Sequence, residues 1–123
     1  MTDEELLARA DAIAERAYAP YSHFNVGCAV LCRDGAVLEG VNVENGAYPL
    51  GICAERTAFS RAIVQGYAPG DFVVAAVTAS PCGGCRQWLY EWRVPEVSYR
   101  RDDGSIATVS PAELLPDSWN LPG

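Results

Sequence analysis

Apolar residues recur at Leu6, Leu7, Ala10, Ile13, Ala14 and Ala17, one stripe of a helix, behind Thr2 and Glu5 spaced as a capping box. This pattern predicts a helix from residue 3 to about residue 17, broken by Ala19-Pro20-Tyr21-Ser22. Two β-prone runs, Val26 to Leu31 and Ala36 to Val43, flank Asp34-Gly35 and predict a hairpin. The stretch 45–52 carries Gly46, Pro49 and Gly51 and reads as a loop. Helical spacing resumes from Cys53 to Gln65, with Gly66 as a stop. Phe72 to Thr78 is almost continuously apolar, the mark of a strand buried on both faces. Ser80-Pro81-Cys82 opens another helix, whose apolar side runs through Trp88, Leu89 and Trp92. Val97 to Arg100 and Ile106 to Val109, joined by Asp102-Asp103-Gly104, predict a second hairpin. Ser110-Pro111-Ala112-Glu113 starts a short last helix. The order α-β-β-α-β-α-β-β-α predicts an α/β domain, a mixed sheet covered by helices.

Composition narrows the partners. The 123 residues suit one domain spanning 1–123, and half of them are hydrophobic. A net charge of -7 argues against nucleic acid, which selects basic faces, and leaves a small neutral ligand open. No run approaches the roughly 20 apolar residues of a membrane span, and Met1 to Glu5 lacks the basic start of a signal peptide. Cytoplasmic localisation is therefore expected, where five cysteines serve as thiols or metal ligands rather than as a disulfide framework. A domain this small leaves much surface uncovered, which favours an oligomer.

Three of the cysteines stand where chemistry is easiest to build. Cys53 opens one predicted helix, while Cys82 and Cys85 open another within Pro81-Cys82-Gly83-Gly84-Cys85. Helix N-termini stabilise thiolates, and zinc binds thiolates. Three protein ligands leave the fourth zinc position open, as catalytic sites do. Three thiolates also overcompensate the metal's charge, so electron density must be drawn off the sulfurs; helix N–H groups can do this, and Arg56 is expected to join them as a donor. Glu55 is the candidate proton carrier. Two residues along a helix turn a side chain by about 200°, so Glu55 reaches the metal only if Cys53 binds from the helix end. Taken alone, the C-x-x-C leaves a redox dithiol, a structural zinc site and a catalytic zinc site all open. A structural site needs a fourth ligand, from His23, Cys28 or Cys32. The two cysteines read as core residues and His23 as a loop residue.

The combination of Cys53-Ala54-Glu55 with Pro81-Cys82-Gly83-Gly84-Cys85 resembles the zinc deaminase signature in its three-cysteine form. More narrowly, the chain is similar to the small homotetrameric cytidine deaminases. The matching blocks are Ala19 to Gly27, Asn42 to Asn45, Tyr48 to Ala58, Ser80 to Gln87, and Leu114-Leu115-Pro116. The resemblance implies a three-layer α-β-α cytidine-deaminase-like fold around a five-stranded mixed sheet. It implies Zn²⁺ as cofactor and attack of an activated water on C4 of the pyrimidine, with Glu55 shuttling protons to N3 and the leaving amine. It further implies that Phe24 packs on the nucleoside, Asn42 and Glu44 bind the ribose, the N–H of Ala54 holds the base carbonyl, and Tyr48 lines a site shared between subunits. The implied partners are a small-molecule nucleoside and three further copies of the chain. A carboxylate at Glu44 accepts from a ribose hydroxyl and repels phosphate, which favours free nucleosides. In this superfamily an antiparallel final hairpin also resembles the nucleoside branch, because the nucleic-acid-editing branch places a helix between those strands.

The chain departs from the family in three places. The segment between Val77 and Cys82 is short. Trp88 and Trp92 are bulky for their helix, with a subunit interface as their expected place. Trp119 stands where the family puts a Phe that reaches a neighbour's site, so a stacking role survives with a different ring size. These departures keep a deaminase of another aminopyrimidine nucleoside, such as a nucleoside antibiotic, as the rival within the superfamily.

Overall fold

The computed structural model describes residues 1–120. Helix α1 spans Asp3–Ala14 and is capped at Thr2, whose Oγ1 accepts from the Glu5 N–H at 3.1 Å. It ends at Ala14 rather than at residue 17. The Arg16 and Ala17 N–H groups tighten onto the carbonyls three residues back, and Tyr18 is then drawn into an extended bridge with Val43.

Strands β1 (Gly27–Cys32) and β2 (Val37–Val41) form the first hairpin. The loop that follows contains a single 3-10 turn, Tyr48–Leu50. Helix α2 (Ala54–Val64) leads to β3 (Phe72–Val77), and helix α3 (Gly83–Glu91) leads to β4 (Glu96–Arg100). Strand β5 (Ile106–Val109) and the short α4 (Pro111–Leu114) complete the described order. The sheet runs β2-β1-β3-β4-β5, with β3 and β4 parallel and every other pair antiparallel. Sheet composition, strand count and final hairpin all match the sequence reading.

Two packed layers cover the sheet. On one face Leu6, Leu7 and Ala10 of α1 meet Ala29, Val74 and Ala76. On the other, Ala58, Phe59 and Ala62 of α2 and Leu89 of α3 meet Cys28, Val30, Cys32, Phe72, Ala75 and Val77. Cys28 and Cys32 are thus core residues, as expected. A β-bulge redirects the start of β3: the register shifts between Leu31 and Cys32, so that Leu31 pairs with Val74 and Cys32 with Phe72. Val73 is left over at the surface, and Phe72 turns inward in its place.

That inward turn builds a wedge. The rings of Phe59 and Phe72 lie 5.3 Å apart, Phe59 and Trp92 5.5 Å, and Phe72 and Trp92 5.7 Å. Trp92 is therefore held largely inside the chain, joining α2 to α3. Trp88 is half-buried beside it.

Helix α2 lies very close to the sheet. A Cβ on Gly40 of β2 would sit 2.5 Å from the Ala54 carbonyl oxygen and closer still to the Ala58 nitrogen. Only glycine permits this approach. Thr57 fastens the same helix, donating from Oγ1 to the Val41 carbonyl at 2.7 Å. Among the described residues, no helix is long and apolar enough to cross a membrane.

Candidate active site

The N-termini of α2 and α3 converge at one end of the sheet. Cys53 caps α2 with extended backbone, φ -73° and ψ 158°, and Cys82 caps α3 at φ -68° and ψ 166°. Neither belongs to its helix. The helical angle between positions 53 and 55 therefore does not separate the thiol from the carboxylate, and both side chains line the same cavity. Cys85 sits in the first turn of α3, buried, and its N–H donates to Cys82 Sγ at 3.4 Å.

The three Sγ atoms of Cys53, Cys82 and Cys85 lie within 4.8 Å of one another, and Cys53 and Cys82 are 3.7 Å apart. Zinc–sulfur bonds of about 2.3 Å in a tetrahedron require sulfurs about 3.8 Å apart. The trio fits zinc on donor type and on spacing. Among the described residues the cluster gains no fourth Cys, His or acidic ligand, so His23, Cys28 and Cys32 do not close it. Among the described residues, a fully ligated structural site is not formed.

The charges around the sulfurs are organised. Hydrogen bonding from the Cys85 thiol, with help from Cys82 and Arg56, lowers the Cys53 pKa to about 6. The same bond, together with burial and the Glu55 charge, holds the Cys85 proton tightly. Arg56 lies across Gly84 of α3, where any Cβ would overlap the guanidinium. Burial works against its charge, but the Cys85 and Cys53 sulfurs outweigh burial and raise its pKa. Its Nε is buried without a hydrogen-bond partner. A guanidinium with an unpartnered Nε is favoured by a neighbouring negative charge, which the Cys53 thiolate provides. Arg56 thus stands against the sulfur cluster, at the place from which a charge-balancing role would be exercised.

Glu55 is 3% exposed. Burial, reinforced by the nearby Cys53 charge, raises its pKa to about 7, although its own N–H, the Cys85 thiol and Arg56 pull the other way. A carboxyl poised near neutrality both takes and gives a proton.

The cavity above the sulfurs holds about 190 Å³ and is lined by Phe24, Asn42, Cys53, Ala54, Glu55 and Cys82. Val26, Val77, Ala79 and Ser80, none of them given a site role from the sequence, complete its wall, three of them from the short Val77–Cys82 segment. The structure thus joins six of the expected residues in one space. Glu44, Tyr48 and Trp119 do not line it. Glu44 instead binds the backbone of Tyr21 and Ser22. Tyr48 is 78% exposed and Trp119 66%. Gln87 holds the tail by donating from Nε2 to the Trp119 carbonyl at 3.0 Å. A larger cleft of about 550 Å³ between α2 and α3 is lined by Ser60, Ile63, Gln87, Trp88, Glu91 and Trp92 and contains no thiol.

Residues 1–101 match the family model described as the cytidine and deoxycytidylate deaminase zinc-binding region. A cytidine deaminase of Sporosarcina psychrophila is 40% identical, with 98% of this chain and 93% of that protein aligned. A probable cytidine deaminase of Dictyostelium discoideum is 41% identical over 94% of this chain and 84% of that protein. The crystal structure of a cytidine deaminase from Burkholderia pseudomallei superposes with a TM-score of 0.90 at 44% identity, covering 97% of this chain and 100% of that one.

Proposed function

The chain belongs to the cytidine and deoxycytidylate deaminase family of zinc-binding enzymes, and we propose that its reaction is hydrolysis of the 4-amino group of free cytidine and deoxycytidine. Water and the nucleoside give uridine or deoxyuridine and ammonia. The observation that carries this reading is a buried carboxyl poised near neutrality in one cavity with a three-sulfur cluster that no fourth side chain completes.

Cys53, Cys82 and Cys85 hold the zinc, which when bound supplies a Lewis acid that makes water a nucleophile at neutral pH. Glu55 takes the proton from that water and delivers protons to N3 and to the departing amine. Arg56 offsets the negative charge of the sulfurs. Ala54 is the first residue of α2, so its N–H has no partner within the helix and is free to donate to the base carbonyl. Phe24 covers the nucleoside, and Asn42 and Glu44 take the ribose hydroxyls. A negative charge at Glu44 disfavours a phosphate on the sugar.

A cavity of about 190 Å³ falls below the ~300–1,000 Å³ that encloses a drug-sized ligand. It suits the base and leaves the sugar at the mouth. Tyr48 and Trp119, exposed and outside the cavity, are suited to complete the mouth of a neighbouring subunit in a homotetramer. The role is salvage of pyrimidine nucleosides in the cytoplasm, by a single domain.

Metal analysis of the purified protein with a cytidine absorbance assay tests the proposal. One zinc per chain and conversion of cytidine with ammonia release are expected. A zinc-loaded protein that ignores cytidine but releases ammonia from another aminopyrimidine nucleoside would overturn the substrate assignment. The short Val77–Cys82 segment and Trp119 are where such a difference would originate.

A further inference from the structure

The segment from Tyr21 to Val26 has no regular secondary structure, yet its backbone is held at almost every residue. Glu44 Oε1 accepts from the N–H groups of Tyr21 at 3.0 Å and Ser22 at 3.1 Å. The Ser22 hydroxyl donates to Glu44 Oε2 and accepts from the Phe24 N–H at 3.0 Å. On the far side, Asn42 Nδ2 donates to the Phe24 carbonyl at 2.9 Å, and Asn42 Oδ1 accepts from the Val26 N–H at 2.8 Å. Both backbone groups of Phe24 are therefore gripped by side chains. Between the two grips, His23 adopts φ 57°, a left-handed conformation unfavourable for a residue with a Cβ. Such a conformation persists only where its surroundings enforce it.

The need for this grip lies in Phe24 itself. It lines the cavity, but it is 61% exposed, so packing alone does not fix its ring. We propose that Ser22 is a positioning residue: its hydroxyl links the Glu44 carboxylate to the Phe24 N–H and so aims the Phe24 ring at the nucleoside. This rests on the deaminase reading above for the identity of the ligand. The hydroxyl suits the task because it donates and accepts at once, and donation to a carboxylate strengthens its acceptance. It also limits Glu44, which already accepts three hydrogen bonds and keeps about one of its four lone-pair sites for a ribose hydroxyl. Ser22 thereby orients two contacts to the substrate without touching it.

The test compares Ser22→Ala and Ser22→Thr in the zinc-loaded enzyme by two readouts, cytidine kinetics and amide hydrogen exchange at Phe24. Ser22→Ala is expected to raise KM about tenfold, the scale of one lost hydrogen bond in a charged network, with kcat within about twofold. Exchange at the Phe24 amide should quicken by about the same factor. Ser22→Thr, which keeps the hydroxyl, should restore both. An unchanged KM, an equally protected Phe24 amide, or a threonine variant that behaves as alanine does would overturn the assignment. If the parent enzyme leaves cytidine untouched, the deaminase reading falls, and the exchange measurement alone decides the role of Ser22.

Discussion

A carboxyl sealed from water destabilises the fold whenever it is charged, and Glu55 concentrates that cost. Its pKa stands at about 7 against an ordinary 4.5. The penalty is absent below the unfolded value, grows as pH rises between the two, and is complete above about 7. An offset of that size is worth about 3 kcal/mol as an upper figure. In the metal-free protein, Glu55→Gln should therefore raise stability at pH 8 by about 2–3 kcal/mol, several degrees in Tm. The gain should fade towards pH 5, while turnover of the zinc enzyme falls by orders of magnitude. Thermal melts at the two pH values decide it: an equal gain at both would mean that the carboxyl is not the source. The site is thus expected to trade stability for a proton carrier matched to neutral pH.

Helix α2 carries Glu55 and follows directly on Cys53, and its height over the sheet is set by a missing side chain. Gly40→Ala would drive a methyl group into the helix backbone at Ala54 and Ala58, which cannot yield as a flexible side chain does. Overpacking of this kind costs about 1–3 kcal/mol or more. The variant should lose several degrees in Tm and also bind zinc more weakly, as a chelator titration would show; zinc affinity equal to the parent's would disconnect Gly40 from the site. This close approach was not legible in the sequence, where Gly40 is one glycine among eleven. What was legible follows from local physics. Thr2, Ser110, Cys53 and Cys82 mark helix starts because a cap is a property of a few adjacent residues. The long apolar run of β3 declared its two-sided burial. Long-range events were hidden. The Tyr18–Val43 bridge trims α1, the bulge puts Phe72 inside and Val73 outside, and Glu44 is engaged by a turn more than twenty residues earlier in the chain. The clustered cysteines were readable because each is tied to a helix start. The remaining cavity wall was not, since Val26, Val77 and Ala79 carry no chemistry of their own.

At the scale of the molecule, large apolar side chains cluster in the segments around the site. Tyr18, Tyr21, Tyr48, Leu50 and Ile52 are all exposed, on the two stretches that flank the Phe24 turn and lead into Cys53. A surface of this kind beside a shallow cavity supports an assembly in which neighbouring copies close the mouth. In the proposed tetramer Trp119 acts across the interface, so Trp119→Ala should raise KM for cytidine several-fold while leaving one zinc per chain. Specific activity should also fall on dilution at the concentrations where sedimentation shows the tetramer dissociating. Full activity of a dissociated single chain would instead place the whole site within one subunit. The same tail is tied back to α3 through Gln87, so its position is coupled to the helix that carries Cys82 and Cys85.

The wedge of Phe59, Phe72 and Trp92 sits well along α2 and α3 from the ends that bear the sulfurs, yet it joins the two helices. Removing one of these rings, as in Phe59→Leu, is expected to loosen the packing between α2 and α3 and to lower stability and zinc affinity together, which thermal melts and a chelator titration would check.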